Sequence, residues 1–198
     1  MSPELLPAGS PVLLERFWAF RESVYRLETM QTYRNSGEDE ALAAFVAGAT
    51  SHPADPTADE WADMIRGNVR AGRLVQRVHV VCEPLTDYLR FELTWSYGRN
   101  VRAGEDVRII PVAEGASWPA GIPPIGTDYW LFDSLDLFHQ HYRTDGWWLG
   151  TEHVIDEQGL ANARTWRNAA LELGIPWREY LNRHPDLARY LPPGALEP

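Results

Sequence analysis

Between Val12 and Tyr25 the apolar residues Leu13, Phe17, Phe20 and Val24 are spaced by three and four, which predicts a helix. Ser10 suits its N-cap and Pro11 its first turn, and residues 1–10 before it read as a frayed start. After RLETMQTYR, an acidic start and apolar spacing in EDEALAAFVAG predict a second helix ending at Gly48. GATSHPADPTADE (48–60) reads as a loop. Trp61, Met64, Ile65 and Val69 then mark an amphipathic helix from near Asp59 to Gly72.

From Leu74 the period changes to two. LVQRVHVVCE reads as a strand ending at Glu83, VRIIPV (107–112) as a buried strand, and DYWLFDS as another. LDLFHQHY and WWLGTEHVI alternate on either side of RTDG, the signature of a hairpin. EQGLANARTWRNAALELG closes as a helix, and Pro185, Pro192 and Pro193 punctuate short helical pieces in the tail. EPLTDYLRFELTWSYG fits either period. A helix is expected there, with Pro84 in its first turn, because parallel neighbours need a crossover. The fold class expected is α/β or α+β: a helical portion (1–72) packed on a mixed sheet of about five strands with flanking helices (73–198), together one compact domain.

Composition narrows the chemistry. The formal charge is -10 and all 18 basic residues are arginine, so lysine-dependent mechanisms are excluded. Arg66, Arg70, Arg73 and Arg77 are the nearest approach to a basic stripe, and neighbouring acids make them read as a solvated helix face. No direct nucleic-acid binding is expected. A single cysteine, Cys82, rules out an internal disulfide and any zinc site of several thiolates. No apolar run is long enough for a signal segment or membrane span, so a cytoplasmic protein with no membrane role is expected. No phosphate loop, nucleophile elbow, H-E-x-x-H or EF-hand occurs, and no cofactor is expected.

The segments RVHVVCEPLTDYLRFEL, AGEDVRIIPV, DYWLFD and DGWWLGTEHVID resemble an uncharacterised actinobacterial family, a domain of unknown function. The likeness runs from about Phe17 to Trp177. It implies a cytoplasmic protein, often encoded near helix-turn-helix regulators, and no established chemistry. It singles out His141 as the hairpin histidine, whereas other residues are usual at position 139. The element order also resembles, more weakly, a non-catalytic half of the phospholipase D-like fold. The His-x-Lys of its catalytic members is missing here, since Gln140 and His141 follow His139.

Three groups of side chains are candidates for a site. Asp133, at the end of an apolar strand, and His141, one hairpin strand away, are a candidate acid–base pair. Glu83, Asp87, Tyr88, Arg90 and Glu92 gather where a strand gives way to a helix, a common ligand position in α/β sheets. Arg90 or Tyr88 would grip a small polar or anionic ligand there. His139, His141 and Glu152 are a weak metal candidate, dependent on hairpin register, and no metal is expected. The pair Trp147–Trp148 places one ring on each face of its strand. One ring therefore meets solvent, a homodimer partner or a ligand, and Trp148 joins the ligand-binding candidates. A non-catalytic ligand-sensing or adaptor protein, working with a helix-turn-helix regulator, is the first expectation. The alternative is a small cofactor-free enzyme using Asp133, His141 and the Glu83/Asp87 carboxylates.

Overall fold

Helix α1 (Pro11–Ala19) starts behind Ser10 as expected, but the chain turns extended at Phe20 and does not reach Tyr25 as helix. It becomes a strand instead, β1 (Ser23–Glu28). Val24 continues the helical spacing by coincidence, while the alternation Val24-Tyr25-Arg26-Leu27-Glu28 sends Tyr25 and Leu27 to one face and Val24, Arg26 and Glu28 to the other. The portion expected to be helical thus supplies a strand of the sheet. The structure, a computed structural model, describes residues 4–53 and 55–192. Residues 1–3 of the expected frayed start, and Pro193, lie outside them. Leu6 is not frayed: it exchanges backbone hydrogen bonds with Thr151 at 2.7 and 3.0 Å.

Helices α2 (Asp39–Val46) and α3 (Pro56–Arg70) follow. Asp55 caps α3 by accepting from the amides of Thr57 and Ala58 at 3.0 and 3.2 Å, which pulls its first turn into the expected loop. Strand β2 (Leu74–Cys82) leads to a long crossover made of α4 (Asp87–Phe91), a π-helical stretch (Glu92–Ser96) and α5 (Tyr97–Ala103). The helix expected over 85–95 is therefore present. It begins after Pro84, with the Thr86 hydroxyl accepting from the Leu89 amide at 3.1 Å. Then come β3 (Asp106–Val112), β4 (Asp128–Phe132), β5 (Asp136–Tyr142), β6 (Trp148–Val154), α6 (Glu157–Leu173), the two-residue β7 (Ile175–Pro176) and α7 (Trp177–Arg183). The sheet runs β6-β5-β4-β1-β2-β3-β7, so the expected mixed sheet has seven strands among the described residues, not about five. The additions are β1, hidden by its charges, and β7, too short to show a period. β1, β2 and β3 are parallel, and the remaining pairings are antiparallel.

One face of the sheet is conventional. Tyr25, Leu27, Val78, Val80, Ile110, Leu131 and Leu137 pack under Ala163 and Ala170 of α6. Burying each such aliphatic side chain contributes roughly 1.5–3 kcal/mol. On the other face, Val24, Phe132 and Phe138 pack with Phe17 of α1 and Ile65 of α3, while Val107 and Ile109 pack with Trp177 and Tyr180 of α7. The rest of that second face is polar.

Two turns lock the antiparallel half. Between β4 and β5, Asp133 and Ser134 both have positive φ, 51° and 59°. The Asp133 carboxylate accepts from the amides of Arg21, Glu22 and Ser23 at 2.8–3.1 Å, tying this turn to the entry of β1. Burial raises its pKa, but the amides of Ser23, Glu22 and Arg21 outweigh that and hold it below the ordinary carboxylate range. A depressed folded pKa stabilises the fold above the unfolded value of about 3.9 and stops doing so as pH falls through the folded value. Asp133→Ala is expected to cost about 1–3 kcal/mol at pH 7 in urea unfolding, and less in acid. An equal loss at both pH values would contradict this account.

Between β5 and β6, Arg143 and Trp147 close a three-residue loop. The bulge lies between His141 and Tyr142, where Leu149 of β6 is the extra residue, and the result sets His139 opposite Glu152, the register expected of a two-residue Asp-Gly turn. The loop docks on the segment after β1, where Arg34 donates to the Gly146 carbonyl and accepts from the Trp148 amide, both at 3.0 Å.

Candidate functional site

The polar part of the second face is built by alternation. Arg26 and Glu28 of β1 pair in register with Arg77 and His79 of β2, so all four side chains point the same way. Asp128 pairs with Gln140 on β4 and β5 and presents to the same side. All six are buried, together with Glu92 and Glu105. Arg77 therefore does not belong to a solvated helix face, because α3 ends at Arg70.

These groups are cross-linked. Arg77 donates to Glu28 at 2.6 Å and to Glu105 at 3.0 Å, and Arg26 donates to Glu28 at 3.3 Å and to the Tyr142 hydroxyl at 3.1 Å. Both guanidiniums lie over the Trp130 ring, at 5.1 Å for Arg26 and 5.7 Å for Arg77. Asp128 accepts from Thr29 and from Tyr33, whose hydroxyl is 2.5 Å away. His79 hydrogen-bonds through Nε2 to the Met30 carbonyl at 2.8 Å and through Nδ1 to the Tyr97 hydroxyl at 2.7 Å.

Above this floor lies a cavity of about 980 Å³. The crossover helix forms one wall with Tyr88, Glu92, Ser96 and Tyr97, and the wide π turn allows the adjacent Ser96 and Tyr97 both to face inward. Trp61 of α3, Trp130 of β4 and Trp148 of β6 are aromatic parts of the wall, and exposed Trp18 stands at the rim. Glu38 enters from the segment before α2 and accepts from Tyr88 and Ser96, both at 3.1 Å.

Three buried polar atoms in this cavity lack hydrogen-bond partners: an Arg26 guanidinium nitrogen (NH1), Gln140 Nε2 and Glu92 Oε2. The Gln140 orientation is set by its carbonyl, which accepts from Trp148 Nε1 at 3.2 Å and Thr151 Oγ1 at 3.0 Å. Its amide nitrogen is thereby left buried without a hydrogen-bond partner. Such orphaned groups are uncommon in native cores.

Ionisation is displaced throughout. Burial, then the Glu92 charge, pushes Glu38 up to about 7 against its hydrogen bonds from Tyr88 and Ser96. Glu92 is raised by burial and then by Glu28. Burial also raises Asp128 against the pull of Arg26. For Glu28 burial is outweighed by Arg77, Arg26 and His79, which hold it well below the ordinary range. Burial lowers His79, but the Glu92 carboxylate beside it, then Glu28, push it up to about 9.

The sequence candidates divide. Tyr88 and Trp148 line the cavity. Asp87 and Arg90 pair with each other at 2.8 Å on the outer side of α4, and Glu83 accepts from Tyr180 at 3.1 Å. Asp133 and His141 lie at opposite ends of the β4–β5 pair and do not form an acid–base pair. His141 instead contacts Glu152 at 2.7 Å, on the face of Leu137 and α6, away from the cavity. His139 is opposite Glu152 in register, but its Nε2 has no partner and its ligand atoms do not converge with theirs. Burial lowers its pKa. Trp147 sits at the surface between the guanidiniums of Arg34 and Arg143, at 5.9 and 5.6 Å.

Glu92, grouped with Tyr88 in the sequence, also lines the cavity, whereas sequence reasoning missed Arg26, Glu28, Glu38, Arg77, His79 and Asp128 as site residues. The available signal was Arg77 and His79 interrupting a valine-rich strand. A parallel strand covered on both faces normally reads as continuously apolar.

A family model described as Domain of unknown function (DUF6879) matches residues 12–182. The chain belongs to this family. No curated protein matches the chain. Membership of DUF6879 agrees with the resemblance read from the motifs at the level of an uncharacterised family. The cavity residues named above all fall inside the DUF6879 match. Among the described residues, no helix is long and apolar enough to cross a membrane.

Proposed function

We propose that this protein is a non-catalytic ligand sensor that takes a small polar molecule into the cavity over the charged sheet face. The observation that carries the reading is that three residues lining a walled space each hold a buried polar atom without a hydrogen-bond partner: donors on Arg26 and Gln140, and an acceptor on Glu92. Leaving such groups unmade costs about 1–3 kcal/mol each, which a ligand with complementary groups recovers on binding. Tryptophan and tyrosine rings on the walls supply apolar and stacking contact for the remainder of the ligand. The regulatory half of the proposal, a cytoplasmic adaptor acting on a helix-turn-helix regulator, is supported by the genomic company that the sequence resemblance implies.

A second reading is favoured by Glu38, raised to about 7 beside Glu92 and sharing the Tyr88 hydroxyl with it. That is a suitable range for a general acid–base, so an enzyme would use Glu38, Glu92 and Tyr88 rather than Asp133 and His141.

Native mass spectrometry of the full chain, purified gently from bacterial cells, tests the first reading. The expected result is a retained small-molecule adduct that is lost in Asn100→Trp, which places an indole on the cavity wall. A wild-type chain that carries no adduct, and whose melting temperature is not raised by a metabolite extract, would sink it. Conversion of the released molecule, abolished by Glu38→Gln, would select the enzyme.

A further inference from the structure

We infer that Glu28, His79 and Glu92 form a binding site for one divalent metal ion of nitrogen and oxygen preference, such as Zn²⁺ or Mn²⁺, at the floor of the cavity. Among the described residues these three bring one ligand atom each to within 4.8 Å of one another. His79 Nδ1 is 3.2 Å from Glu92 Oε2 and 3.8 Å from Glu28 Oε2. Donors bound at about 2.0–2.2 Å from a common ion sit roughly 3–3.5 Å apart, so the trio needs only small adjustments.

Each ligand is held from behind. His79 Nε2 is fixed on the Met30 carbonyl at 2.8 Å, which in the neutral ring leaves the Nδ1 lone pair on the side of the carboxylates. The second oxygen of Glu28 is gripped by Arg77 at 2.6 Å and by Arg26 at 3.3 Å. The second oxygen of Glu92 accepts from Tyr88 at 3.3 Å. The inward Glu92 Oε2 is buried with no hydrogen-bond partner. The Tyr97 hydroxyl, 2.7 Å from His79 Nδ1 and 2.9 Å from Glu28 Oε2, is a fourth donor within reach.

Charge balance points the same way. Once a metal takes the place of any proton on His79 Nδ1, the buried carboxylates Glu28, Glu92, Glu105 and Asp128 face the guanidiniums of Arg26 and Arg77, which leaves two negative charges. A dication offsets them. An anion in the same place would add to the excess. The site is independent of the organic-ligand reading, since metal binding is measured with no other ligand present.

The test uses the full chain stripped with chelator and titrated with Zn²⁺ or Mn²⁺ alone, by calorimetry and thermal unfolding. One equivalent per chain and a raised melting temperature are expected. Glu92→Gln keeps the shape of the side chain while removing one ligand charge. It is expected to weaken binding at least tenfold while leaving the metal-free melting temperature unchanged or higher. His79→Gln is the second variant, expected to weaken binding similarly. Absence of binding by both ions, or undiminished binding in Glu92→Gln, overturns the site.

Discussion

Arg77→Met is expected to destabilise the protein by about 3–5 kcal/mol, the range for removing one partner of a buried ion pair. The side chain of Arg77 is 9% exposed, and the carboxylates it holds, Glu28 and Glu105, are 6% and 0% exposed. Methionine fills much of the same volume, so the loss reports charge rather than packing. Glu28 keeps Arg26 at 3.3 Å, whereas no other ion pair holds Glu105 among the described residues. The stranded carboxyls would then have raised folded pKa values, would take up protons on folding and would regain stability as pH falls. The deficit should therefore shrink from pH 7 to pH 5. Adding Glu105→Gln should recover part of it. Urea unfolding of the single and double variants measures all three, and a loss under about 1 kcal/mol at pH 7 would show that the cluster does not depend on this pair. Arg77→Lys is not expected to rescue, because one ammonium lacks the fork that reaches two carboxylates in different directions.

Gly146→Ala is expected to cost about 2–4 kcal/mol and to loosen the cavity wall. Gly146 has φ +84°, a conformation that disfavours a side chain, and an added Cβ would collide with the Thr32 carbonyl oxygen and lie 2.9 Å from its carbon. Both neighbours of the clash are backbone, so relief requires the β5–β6 loop to lift off the 32–34 segment. Trp148 and Tyr142 flank that loop and line the cavity. Hydrogen exchange should show faster opening at Arg34 and Trp148, whose amides bond across this contact. Unchanged exchange at those amides would mean the loop is held by other contacts.

The sheet was legible where a turn sequence separates two alternating runs, as for β5 and β6, or where a strand is largely apolar, as in the YWLF of β4. β1 was not, because a buried face made of Arg26 and Glu28 has the polarity pattern of a surface. The same disguise hid the site. Paired charges can be buried only when their partners arrive from elsewhere in the chain, and here they come from β2, β4 and the crossover helix. No local window contains that information. Tyr88 was found because a strand giving way to a helix is a common ligand position, and Trp148 because a double-Trp strand declares a ring that must find cover. Asp133 misled because a carboxylate ending a strand can bind a ligand or three backbone amides, and only the proximity of residues 21–23 decides.

The placement of β1 beside both β2 and β4 also bears on synthesis. Val24 pairs with Val75 on one side and with Phe132 on the other, so the strand nearest the amino terminus is completed by segments made much later. Pairings so distant in sequence carry a large loop-closure cost and favour slow folding. At about 5–20 residues added per second, a nascent chain spends several seconds with Arg26 and Glu28 translated and β4 not yet made. Those charges keep the waiting strand hydrated, so the feature that forms the cavity floor in the finished protein guards the unfinished one against aggregation on the ribosome.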